Sequence, residues 1–131
     1  MKKLQSKDFS INTIAEKLRN PKSGAIVMFI GIVRKEPDLK ALVYKAFDEM
    51  VEKKAKQLEK AVIDRFHLND AVIIHRKGEL TPGDNVVIVA CSAPHRREAF
   101  RACQWLTSEM KKTLPIWKEK RRHGQNGRHR Q

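Results

Sequence analysis

The chain has 131 residues, 40% of them hydrophobic, which is enough apolar material for one domain with a filled core. Its 28 Lys and Arg stand against 15 Asp and Glu, a formal charge of +13, so an anionic partner or substrate is expected: nucleic acid, an acidic protein or a phosphorylated small molecule. No apolar run approaches the roughly 20 residues that span a bilayer, and the opening MKKLQSKDFSI lacks the apolar stretch of a secretion signal, so a soluble, cytoplasmic protein is expected.

In chain order, Asn12 is expected to cap a short helix running to about Arg19, since TIAEKL places apolar residues on one face and Asn20-Pro21 stops it. From Ala25 to Val33 nearly every residue is apolar and many are β-branched, the pattern of a central strand buried on both faces. A polar connection, Lys35 to Lys40, leads to a second strand, ALVYKAF. Asp48 then opens a helix reaching about His67, in which Val51, Ala55, Leu58, Val62 and Phe66 form a buried stripe. Lys53, Lys54, Lys56 and Lys60 fall on its other faces and read as solvated.

AVIIHR and NVVIVACSA read as a hairpin whose connection, KGELTPGD, turns at Pro82-Gly83. His75, inside the first of these apolar strands, reads as a satisfied structural histidine. Ser92 and Pro94 mark the start of another helix, with Phe100, Cys103, Leu106 and Met110 as its buried stripe. It must end near Leu114, because Pro115 disfavours a helical residue before it. PIWKEK then resumes as a short extended segment. Cys91 and Cys103 have no metal-site spacing and suggest no disulfide framework, so both read as small buried apolar residues, and no metal or cofactor is implied. The order α-β-β-α-β-β-α-β predicts an α+β fold, a mainly antiparallel sheet with helices packed on it. One domain is expected over residues 1–120, followed by a basic, flexible tail over 121–131, RRHGQNGRHRQ.

Three basic clusters stand at element ends. Arg34 closes the apolar strand and is either a surface charge or a bidentate clasp for an oxyanion. His95, Arg96 and Arg97 occupy the first turn of a helix, where cations oppose the dipole; they face solvent, or join the free backbone N–H groups in receiving an anion. Lys111 and Lys118 flank the chain reversal at Pro115, which can bring two ammonium groups to one pocket. Crowding and partial burial favour the neutral amine that transfers protons or attacks electrophiles. Lys112 lacks such framing and reads as solvated. There is no Gly-rich phosphate loop, nucleophile elbow or suggestive carboxylate pair, so the residues alone support an anion pocket with candidate lysines and identify no reaction.

The segments GAIVMFIGIVR, VYKAFDEM, VIIHRKGEL with PGD, SAPHRREAF and PIWK, in this order and spacing, resemble the large, catalytic subunit of molybdopterin synthase over about Gly24 to Lys120. The resemblance implies an α/β hammerhead fold and a homodimer of large subunits. Each is joined by a small ubiquitin-like subunit, making a heterotetramer. It implies sulfur transfer: the small subunit's C-terminal Gly-Gly thiocarboxylate enters the large subunit's pocket, and two sulfurs convert cyclic pyranopterin monophosphate into the molybdopterin dithiolene. Position by position, Lys111 and Lys118 match the active-site lysines, with Lys111 the leading candidate for acid/base or covalent work. Arg34, His95 and Arg96 match substrate-binding positions, and Ile32, Val33, Glu119 and Lys120 fall in the same binding segments. The resemblance also places the pocket at the dimer interface, so that His95 and Arg96 act on substrate held largely by the other protomer's lysines. Two features depart from the family: the connection after Arg34 is short, and no tryptophan stands near the chain end.

The competing class is a basic nucleic-acid-binding protein, supported by the charge and the arginine-rich tail. Only 6% aromatic residues are available to stack on bases and no recognition module is visible, which leaves nucleic acid as a weak, non-specific partner. A family member that binds the small subunit without catalysis is disfavoured by the presence of both matched lysines.

Overall fold

The computed structural model describes residues 1–124. In chain order these form β1 (Leu4–Gln5), α1 (Ile11–Leu18), β2 (Ala25–Ile32), β3 (Leu39–Ala46), α2 (Asp48–Phe66), β4 (Asp70–Arg76), β5 (Gly78–Leu80), β6 (Asn85–Ala93), α3 (Arg96–Thr113) and β7 (Ile116–Arg122). The fold is α+β, as expected. The strands make two sheets, a four-stranded one in the order β1-β4-β6-β2 and a three-stranded one in the order β5-β3-β7. Only the β1–β4 pair is parallel.

Alternation along β4 and β6 builds the core. Ile73, Val89 and Cys91 face one side, where α2 and α3 cover them with Val51, Ala55, Val62, Ala102 and Leu106. Val72, Ile74, Ile88 and Ala90 face the other, against Phe9, Ile14 and Leu18 around the small helix α1. Full burial of each such Leu or Ile contributes about 1.5–3 kcal/mol. Both cysteines are free thiols buried in the larger cluster. Among the described residues no helix is long and apolar enough to cross a membrane.

The strand over Ala25–Ile32 is not central. It pairs with β6 alone and forms an edge of its sheet, leaving Phe29 38% and Ile32 57% exposed. The cap of α1 is Ser10 rather than Asn12, because the serine hydroxyl reaches the Thr13 N–H at 3.1 Å. In α3 the small Ala99 turns inward and Phe100 stands 61% exposed, outside the expected stripe. The β4–β6 pairing is the expected one, but their connection contains β5, which leaves that sheet to pair with Leu42–Tyr44 of β3.

Two further features lay outside the expected order. The two-residue β1 is held by α2: Glu52 accepts from the Lys3 and Leu4 N–H groups at 2.9 and 3.0 Å, and Lys3 Nζ lies 2.6 Å from Glu59. At the other end β7 runs past Lys120, with Arg121 opposite Ala41 and Arg122 opposite Leu39, so the first two residues assigned to the tail belong to a strand. The rest of that expectation, from residue 125 on, lies outside the described residues.

Candidate active site

A cleft of about 340 Å³ opens where the two sheets and the end of α3 meet. Lys111 enters it from the last turn of α3, where a cation suits the helix dipole. Leu114 turns extended at ψ 129 and the Leu114 N–H closes the helix on the Met110 carbonyl at 3.0 Å. Pro115 then lets the chain reverse into β7, whose Lys118 sits directly opposite Tyr44 of β3. Residues so paired share a face, which puts the Tyr44 ring and the Lys118 ammonium on the same wall.

The opposite wall comes from β2. A register shift between Gly31 and Ile32 turns Ile32 toward the opening, and Gly31 lets the strand lie close to β6: a Cβ there would stand 2.8 Å from Val87 Cγ1. Phe29 and Trp117 add flat apolar surface. Trp117 also packs against Phe47, the two rings tilted with centroids 5.2 Å apart, and Phe47 is 64% exposed.

Tyr44 and His75 were missed as site residues. Both line the cleft, with their rings edge to face at 5.3 Å. Burial pushes the Tyr44 phenol above its ordinary range and keeps it protonated. Burial also lowers the His75 pKa from its ordinary 6.5, only partly offset by the bond to the Arg76 carbonyl. The signal that could have found them is weak: alternation puts Tyr44 on the same face as Leu42, but nothing local says that His75 lies across from it.

Of the expected site residues, Lys111, Lys118 and Ile32 meet in this cleft. Both lysines are exposed residues in the single chain, so the partial burial expected of them is not provided by their own fold. Val33 is a core residue at 3% exposure, which removes its side chain from contact with anything in the cleft. Arg34 projects from the surface with its guanidinium 3.9 Å from Glu36, and Lys120 lies 3.0 Å from the same carboxylate, holding it below the ordinary carboxylate range. Glu119 points to the other face of β7, 3.4 Å from Lys45.

His95 and Arg96 stand apart from all of these. His95 is the N-cap of α3 without a side-chain cap bond, and both residues, with Arg97, are exposed. At ~1.5 Å of rise per residue, Arg96 is about 22 Å along the helix from Lys111. Within one chain the two groups therefore stand at opposite ends of the helix. Among the described residues no cluster of His, Cys, Asp and Glu is arranged to hold a metal ion.

This architecture is shared with known proteins. The sequence model of the MoaE protein family matches residues 4–113. The molybdopterin synthase catalytic subunit of Pyrococcus abyssi is 43% identical over 114 residues, covering 85% of this chain and 77% of that protein. That of Caulobacter vibrioides is 38% identical, covering 80% and 69%. The crystal structure of molybdopterin synthase from Staphylococcus aureus superposes with a TM-score of 0.89 at 29% identity, over 95% of this chain and 93% of the other. Sequence and fold agree: the chain belongs to the MoaE protein family, the family of the molybdopterin synthase catalytic subunit.

Proposed function

We propose that the cleft holding Lys111 and Lys118 is where sulfur passes from a partner's thiocarboxylate to cyclic pyranopterin monophosphate. The family's activity is sulfur transfer in molybdenum cofactor biosynthesis. The observation that carries the site assignment is the convergence of two lysines from different elements on one aromatic-walled cleft. A thiocarboxylate and a phosphate-bearing pterin are both anions, and two ammonium groups between them offset the repulsion as sulfur approaches carbon. Lys111, at the helix end, is the group assigned to proton transfer or covalent participation.

Neither cysteine lines this cleft, in keeping with a sulfur brought in by a partner. A fold relative from Helicobacter pylori, with a TM-score of 0.82 at 19% identity, is described as a complex of subunits 1 and 2 of molybdopterin-converting factor. A small subunit ending in Gly-Gly is accordingly assigned as the donor, its extended tail entering beside Trp117 and Ile32. The distance between the two basic groups argues for a homodimer in a heterotetramer, in which His95 and Arg96 of one copy complete the cleft of the other by holding phosphate. Arg34, Lys120 and Glu119 then belong to the rim. The reaction is placed in the cytoplasm, and nucleic acid is at most a weak, charge-driven ligand.

The test combines purified chain, thiocarboxylated small subunit and cyclic pterin monophosphate, and measures dithiolene product. Turnover is expected without any added metal. Absence of product with a competent small subunit overturns the assignment.

A further inference from the structure

His75 reads from sequence as a structural residue, and one of its nitrogens behaves so. Nδ1 lies 2.7 Å from the Arg76 carbonyl oxygen. A carbonyl only accepts, so Nδ1 carries the hydrogen and the neutral ring has its lone pair on Nε2. Among the described residues no hydrogen bond reaches Nε2. Nor is Nε2 sealed in the core, for the only fully buried side-chain polar atoms without a partner among the described residues are the hydroxyls of Ser23 and Ser92. The residue itself is only 8% exposed, and the surface it retains opens on the cleft.

The other polar groups there have a different character. Lys111 and Lys118 only donate, as does the Trp117 indole, and the Tyr44 hydroxyl does either. An acceptor held rigidly among donors has no use for a phosphate or a thiocarboxylate. It suits an uncharged N–H, and the flat walls of Phe29, Tyr44 and Trp117 suit a planar ring that bears one.

We propose that His75 Nε2 accepts a hydrogen bond from an N–H of the pterin ring, making His75 a substrate-binding residue that orients the ring while the lysines address its anionic end. The proposal rests on reading the cleft as the pterin site. Burial of the imidazole favours its neutral form, which preserves the lone pair at neutral pH.

The experiment measures calorimetric binding of cyclic pterin monophosphate, and of an unphosphorylated pterin, to the full chain with its small subunit. His75→Gln keeps an acceptor near the place of Nε2, His75→Asn reaches only the place of Nδ1, and His75→Leu keeps neither. Loss of one neutral hydrogen bond, worth about 1–1.5 kcal/mol, corresponds to roughly tenfold in affinity. His75→Leu and His75→Asn are expected to weaken both pterins by roughly that factor, and His75→Gln by less than about threefold, with small-subunit binding unchanged in all three. Thermal melts identify any variant that fails to fold; the Gln and Asn pair decides the matter if His75→Leu does. Equal losses in Gln and Asn, unaltered binding in both, or a loss confined to the phosphorylated pterin overturns the proposal. A parent protein that binds no pterin overturns the site assignment as well, whereas a binding parent with indifferent variants removes His75 alone.

Discussion

At its C-terminal end α3 carries Lys111 into a cleft walled by both sheets, with the helix dipole favouring the cation and Lys118 returning beside it on β7. At its N-terminal end the same helix presents His95 and Arg96 to open space, against the dipole and without a side-chain cap. One end is a finished wall and the other a fragment. Cations gathered about free N–H groups are stabilised only when an anion arrives, so the open end makes physical sense as a contribution to a site completed elsewhere. A separation of about 22 Å along the helix is what the proposed dimer accounts for, with another copy of the chain as that elsewhere.

The contrast breaks most sharply at Lys111. Lys111→Ala is expected to lower turnover by more than about 100-fold, the usual scale for a lost acid/base or electrostatic group, while an exposed lysine leaves stability within about 0.5 kcal/mol. Single-turnover rates and urea melts check both halves, and turnover near the parental rate would remove Lys111 from the chemistry. Next in size is complementation between the two ends. Mixing Lys111→Ala with the His95→Ala/Arg96→Ala double variant, under conditions that exchange protomers, should restore roughly a quarter of parental activity, because half the dimers are mixed and each has one intact pocket of two. No recovery, with mixed dimers shown by mass spectrometry, would confine each site to a single chain.

The smallest effect separates the ends by packing. A Cβ on Gly24 would meet the Pro94 carbonyl oxygen at 2.3 Å, a backbone atom just before His95, whereas a Cβ on Gly31 meets a side-chain methyl of Val87 at 2.8 Å. Gly24→Ala should cost roughly 1–3 kcal/mol through a forced backbone shift, and Gly31→Ala less, since a valine rotates more easily than a strand moves. Urea midpoints rank the two; the reverse order would mean that the β2–β6 approach at the cleft is the tighter constraint.

Long periodic elements are legible in the sequence alone. The Val51-to-Val62 stripe and the Pro115 stop gave α2 and the end of α3, and with the stop came the meeting of Lys111 and Lys118. What escaped depended on partners far along the chain. β1 has only two residues, too few for a period, and is held by Glu52 and Glu59. β5 hides in turn-forming residues and exists because β3 has a free edge to receive it. An apolar run told that β2 packs on two faces but is silent on what lies to its sides. Tyr44 and His75 belong to different sheets, and their meeting is a property of how the sheets pack, which no local pattern encodes.

The side that β2 leaves bare carries its own consequence, in colloidal behaviour. AIVMFIGI is an eight-residue apolar segment without a charge or proline, and its outer backbone groups have no strand beside them among the described residues. Such an edge templates indiscriminate pairing unless something guards it. With no gatekeeper in the strand, the guard is long-range: a net +13 keeps copies from drifting edge to edge at low ionic strength. Salt that shortens the Debye length to a few ångströms withdraws that protection, so clustering of the isolated chain is expected to rise with ionic strength, through the same charge that suits it to attracting an anion.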